Sequence, residues 1–219
     1  MSIQEKLNTI KQNLPNKVQL VAVSKTKPVE DIQAAYETGQ RVFGENKIQE
    51  MTQKWDVLPK DIEWHMIGHV QRNKVKYMAE FVTLIHGVDS LRLLKEINKQ
   101  ALKHNRVIKC LLQIHIAEEA TKFGLDTDEV LTLVTSEEFK TLQNVQIDGL
   151  MGMATFTDNT DQIRREFQQL KTIFEAVKQV IPNIEVLSMG MSGDYTIAVE
   201  EGSTMVRIGS SIFGTRNIH

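Results

Sequence analysis

One cysteine in 219 residues, Cys110, excludes an internal disulfide framework and suits a reducing compartment. Only four prolines occur, and no Pro-rich or Gly/Ser-rich linker divides the chain. Neither sign of charge dominates. The 26 Lys and Arg against 28 Asp and Glu leave a formal net charge of −2, which gives no electrostatic pull toward nucleic acid or an anionic membrane. Apolar runs are short, and none approaches the ~18 consecutive apolar residues that a bilayer span requires. The opening MSIQEKLNTIKQNL sets apolar residues at helical spacing and lacks the apolar h-region of a signal peptide. What remains is the expectation of a soluble, cytoplasmic globular protein with no membrane or nucleic-acid partner.

What is present is a repeated unit. After an opening helix within residues 1–17, ended by Pro15, the chain alternates a short apolar run, a polar turn and an amphipathic helix. The runs are 18–25 (VQLVAVSK), 41–46 (RVFGEN), 62–69 (IEWHMIGH), 84–89 (LIHGVD), 108–116 (IKCLLQIHI), 146–155 (QIDGLMGMAT), 184–192 (IEVLSMGMS) and 204–211 (TMVRIGSS). Several are almost continuously apolar, as strands buried on both faces of a parallel sheet must be. Between the sixth and seventh, Ile163, Phe167, Leu170, Phe174 and Val177 mark one face of a helix. Ser90 and Thr160 stand where N-caps are expected. Roughly eight strand–helix units predict an α/β fold of one domain, residues 1–219, closed as a (β/α)8 TIM barrel. A doubly wound open sheet is the competing architecture.

In such a barrel, functional groups gather where strands end. Lys25 closes the first run in period-2 register with Val21 and Val23. Desolvation there would lower its pKa toward the nucleophilic amine that Schiff-base chemistry needs, although a lysine at a strand mouth can also simply reach out to solvent. The second run ends in Glu45-Asn46, where Asn46 either faces the same rim or caps the next helix. His65 and His69 are four apart, which on a strand is about 13 Å and too far for one ion, so no metal site is expected. His65 reads as a core histidine satisfied by hydrogen bonding. The seventh and eighth runs lead into Ser188-Met189-Gly190-Met191-Ser192-Gly193-Asp194 and Arg207-Ile208-Gly209-Ser210-Ser211. Small residues at these two ends let backbone N–H groups approach an anion, and the loops after strands seven and eight are the habitual phosphate site of this barrel. Arg207, inside an apolar strand, needs either a structural salt-bridge partner or a cofactor heteroatom. A phosphorylated aldehyde cofactor fits the set: lysine for the carbonyl, glycine and serine for the phosphate, arginine for the ring. Buried Cys110 reads as a small hydrophobe.

The segments AVSKTKP (22–28), FGEN with Gln49 and Glu50, WHMIGHVQRNK (64–74), GLMGMAT (149–155), LSMGMSGD (187–194) and GSTMVRIGSSIFGTR (202–216) resemble the pyridoxal phosphate homeostasis protein family over essentially the whole chain. The resemblance implies the barrel of the alanine racemase N-terminal domain, with pyridoxal 5'-phosphate as a covalent imine on Lys25. It further implies Ser188, Gly209 and Ser210 as phosphate contacts and Arg207 as partner of the pyridine nitrogen; Asn46, at the rim after the second run, is expected as a further cofactor-binding residue. Lys47 departs from the aromatic residue common after FGEN. A permanent cation at the ring nitrogen weakens the ring as an electron sink. Racemases on this barrel carry a second domain supplying an opposite-face base, and the sequence ends at His219 after the eighth run. The expectation is therefore a cofactor-holding protein in vitamin B6 homeostasis with no dedicated catalytic residue; the alternative is an amino-acid racemase. Expected partners are the cofactor and apo-enzymes that use it, and the expected state is a monomer or weak dimer.

Overall fold

The eight apolar runs pair side by side in sequence order and the eighth returns to the first. The computed structural model describes residues 1–118 and 123–214. Among these, the strands are β1 (Gln19–Val23), β2 (Val42–Glu45), β3 (Glu63–Met66), β4 (Leu84–Val88), β5 (Ile108–Ile114), β6 (Val145–Gly152), β7 (Val186–Ser188) and β8 (Met205–Ile208), all parallel in one closed barrel. Closure is direct: Val21 of β1 lies opposite Arg207 of β8 and Ala22 opposite Ile208. That pairing excludes the open doubly wound sheet.

The outer layer is built from α1 (Ile3–Asn13), α2 (Val29–Glu37), α3 (Ile48–Val57), α4 (Leu91–Lys103), α5 (Thr127–Thr135), α6 (Glu137–Lys140), α7 (Thr160–Lys178), α8 (Tyr195–Glu200) and α9 (Ser210–Phe213). The face expected on α7 is the face it buries: Ile163, Phe167, Leu170, Phe174 and Val177 are all in the core. Ser2 and Glu5 form a capping box that starts α1, and Ser90 caps α4 by accepting from the Leu93 N–H. At α7 the cap is Asn159, whose side chain accepts from Gln162 N–H, so Thr160 is instead the first helical residue. Between β3 and β4 the chain forms a 3-10 helix, Arg72–Tyr77, in which Val75 alone is buried; that segment has no apolar stripe to dock an α-helix.

The apolar core is split by the sheet. A large shell lies between strands and helices, and a small plug of Val21, Val42, Leu84, Leu111, Met151 and Met205 fills the barrel itself. Residues two further along these strands, among them Val23, His86, Gln113 and Arg207, share the inward face and lie nearer the carboxyl ends. The plug thus closes the lower barrel and leaves a polar layer above it.

Candidate functional site

That polar layer is a network of hydrogen bonds across five strands, β3, β4, β6, β7 and β8. Arg207 Nη1 donates to the carbonyl of Ser188 at 3.0 Å and to its hydroxyl at 2.5 Å, and Nη2 donates to the carbonyl of Gly152 at 3.1 Å. Ser188 Oγ lies 3.0 Å from His86 Nδ1, and His86 Nε2 lies 3.0 Å from His65 Nδ1. Burial holds His65 down at about 3. Burial, then the neighbouring His65 and Arg207, hold His86 well below the ordinary histidine range. Both rings are neutral at physiological pH, so each offers one donor and one acceptor to the network. Burial also pulls Arg207 down to about 10, opposed by Asp194, which leaves it a cation at neutral pH. Ser188 of β7 and Gly152 of β6 supply carbonyl and hydroxyl acceptors rather than a carboxylate, so the salt-bridge reading is replaced. Among the described residues no acceptor for its Nε–H is found.

Arg207 forms part of the lining of a cavity of about 840 Å³ at the carboxyl end of the barrel. Lys25, Asn46, Gly209 and Ser210 line the same cavity, together with Lys27, His69, Ser192 and Gly193. Lys25 sits two residues past β1, half-buried, where the period-2 register carried on from Val21 and Val23 puts it. Thr26 beside it has φ +63°, a left-handed conformation that costs a β-branched residue about 1–3 kcal/mol and must be held by its surroundings. On the neighbouring strand end, after β8, Gly209 N–H donates to Ser192 Oγ at 3.3 Å. A Cβ on Gly209 would come within 3.2 Å of the Val23 backbone oxygen, a tight contact that β1 would have to relieve by a few tenths of an ångström. Ser210 and Ser211 open α9, where N–H groups have no acceptor in the preceding turn.

One expected placement changes, that of Ser188, and the two readings of Asn46 are separated. Ser188 is fully buried and absent from the cavity lining; its hydroxyl is spent on Arg207 and His86, because β7 points it into the barrel rather than toward the mouth. Asn46 does not cap α3. The cap position is Lys47, without a side-chain bond, while Asn46 faces the cavity and Gly68 packs against its backbone. His65 and His69 part company as expected: His69 lies 3.6 Å from Asp89 and stacks on Phe123. Cys110 is buried, and burial pushes its thiol well up. His86 was not among the residues expected at the site, although its period-2 relation to Leu84 marks it as inward-facing. The Thr215 and Arg216 end of the last motif lies outside the described residues.

A closed parallel barrel with a lysine just past β1 and an arginine on β8 facing one cavity defines a class. Residues 1–217 match the family described as the alanine racemase, N-terminal domain. Alanine racemase from Clostridium difficile 630 has the same fold, with a TM-score of 0.80 at 14% identity, covering 99% of this chain and 60% of the racemase. Within that class the chain belongs to the pyridoxal phosphate homeostasis protein family. It is 38% identical to the pyridoxal phosphate homeostasis protein of Haemophilus influenzae, covering 99% of this chain and 97% of that protein. The Vibrio alginolyticus protein of that name is 41% identical, over 93% of this chain and 88% of its own. PipY of Synechococcus elongatus PCC7942, solved with PLP bound, superposes with a TM-score of 0.88 at 36% identity, covering 97% of this chain and all of PipY. Among the described residues no helix is long and apolar enough to cross a membrane.

Proposed function

We propose that this chain binds pyridoxal 5'-phosphate in the barrel-mouth cavity, holds it as a reversible Schiff base on Lys25, and thereby serves intracellular balance of that cofactor. The observation that carries this reading is Arg207: a buried cation with unspent N–H donors on the lining of a cavity that also holds a half-buried lysine. Pyridoxal phosphate supplies an aldehyde for a primary amine, an acceptor nitrogen in its ring and a phosphate. Lys25 provides the amine. Arg207, which has donors only, orients an acceptor without giving up its proton. Ser192, Gly193, Gly209 and Ser210 form the phosphate cradle, with Ser192 replacing Ser188 in that role. Asn46 lines the wall beside Lys25.

The names of the relatives and the solved PipY complex support binding and exchange over amino-acid racemisation. On this reading residues 1–219 act as one barrel, monomeric or weakly dimeric, in the cytoplasm, with apo-enzymes as recipients. The test is the absorbance spectrum of the purified protein with pyridoxal phosphate, before and after borohydride, followed by peptide mapping. The pyridoxyl group should be found on Lys25 and the adduct should be lost in Lys25→Ala; a label settling on Lys27 or Lys74 overturns the assignment. The same preparation should exchange amino-acid α-protons more slowly than about 1 s⁻¹, the lower edge of ordinary turnover.

A further inference from the structure

Lys25 lies between two residues that a buried ionic cluster grips from outside the cavity. Lys54 is 6% exposed, and its ammonium meets three acceptors: the Ser24 carbonyl at 2.8 Å, Glu45 Oε1 at 2.7 Å and Glu50 Oε1 at 2.7 Å. The two carboxylates pass the grip on to the chain on either side of Lys25. Ser24 Oγ donates to Glu45 Oε1 at 2.6 Å, and the Thr26 N–H donates to Glu50 Oε1 at 2.5 Å. The turn is closed by Ser24 N–H to the Gly44 carbonyl and Lys27 N–H to the Ser24 carbonyl, both 3.0 Å. Ser24, Glu45, Glu50 and Lys54 do not line the cavity.

We propose that Glu50 and Lys54, one turn apart on α3, are positioning residues that fix the backbone of Lys25 so that its amine is presented to the cofactor; this rests on the reading of Lys25 given above. A lysine amine rides on four flexible methylenes, so its reach is defined only if its Cα is fixed. Thr26 is the weak point. Its φ of +63° is held by the bond to Glu50, and without that bond the backbone can relax to a common conformation and turn the peptide planes next to Lys25. The cluster spends a buried cation and a buried carboxylate at one turn of chain, and that turn is the one bearing the amine.

Glu50 is the partner to change, because its side chain reaches solvent and the fold should tolerate its loss. Glu50→Ala, Glu50→Gln and Lys25→Ala are compared in the full chain. In the cofactor-free protein, hydrogen exchange at the Thr26 amide should speed up about ten-fold or more in Glu50→Ala. Glu50→Ala should also weaken pyridoxal phosphate binding, read from the bound absorbance, by about ten-fold, while the melting temperature stays close to that of the unsubstituted chain. Glu50→Gln keeps an oxygen acceptor for the Thr26 N–H and should recover most of both. Unchanged affinity in Glu50→Ala, with Lys25→Ala losing the borohydride-stable adduct, overturns the positioning role alone. An adduct that survives Lys25→Ala overturns the site reading and this proposal with it.

Discussion

Ser188 and Arg207 sit on neighbouring strands, and their different parts follow from where each side chain ends. Arg207 is long enough to rise from the barrel interior to the cavity floor, whereas the one-carbon side chain of Ser188 stops in the layer beneath. Ser188 therefore bears on a ligand only through Arg207, and it does so equally for ligands with and without a phosphate. Ser188→Ala should leave the affinity ratio of pyridoxal phosphate to pyridoxal within about two-fold. Ser192→Ala or Ser210→Ala should narrow it by about ten-fold or more, the value of one hydrogen bond to a charged group. Titration of the four proteins with both aldehydes checks this, and a collapsed ratio in Ser188→Ala would return that residue to the phosphate. Ser188→Ala should also cost about 1–3 kcal/mol of stability, because it strips a partner from buried His86.

Strands were the most legible elements, since a run such as 108–116 has no reading other than a buried strand or helix core. Their ends were less so. The seventh run shrinks to Val186–Ser188 because Gly190, at φ +100°, turns the chain out of the sheet. The start of α7 depends on which of two adjacent polar side chains reaches a backbone N–H, which spacing does not decide. The Glu45–Glu50–Lys54 cluster was illegible for a related reason: FGEN and Glu50 mark its positions, but only the docking of α3 against β2 brings Lys54 to Ser24. Gly149 offers a test at this scale. A Cβ there would lie 1.7 Å from the Val186 backbone oxygen, an overlap that forces β6 and β7 apart. Gly149→Ala should cost about 3 kcal/mol in urea denaturation. Gly193→Ala, where a Cβ meets nothing within 4 Å, should stay within about 0.5 kcal/mol. Equal values for the two would show that the β6–β7 contact can give way.

A barrel that keeps two histidines uncharged at its centre ties the stability of the whole molecule to pH. His65 and His86 are both fully enclosed and bonded to each other, and burial holds each below the value near 6.5 that it takes in the unfolded chain. The unfolded state therefore binds more protons than the folded one once pH drops below about 6.5. Their contribution is complete above that pH and is lost as pH falls, by roughly 1.4 kcal/mol per pH unit for each histidine. For His65 the loss continues to about pH 3, where the folded state also takes the proton. Between pH 6.5 and 5 the pair together loses about 4 kcal/mol, a large fraction of a total stability of about 5–15 kcal/mol. Other buried groups act differently. Glu45 is pushed upward, by burial first, so its contribution is lost as pH rises and runs against the histidines. Glu166 is held low: its hydrogen bonds from Thr155, Gln162 and Glu118 outweigh burial, and its contribution is lost only below the ordinary carboxylate range. Between pH 6.5 and 5 the histidine pair should dominate. The melting temperature should hold steady from pH 8 to 6.5 and then fall steeply. In a His65→Gln, His86→Gln double variant, which keeps hydrogen-bonding groups but removes the titration, the fall should be largely flattened. An equally steep fall in the double variant would mean that surface or carboxylate titrations, and not the buried pair, set the acid limit of the fold.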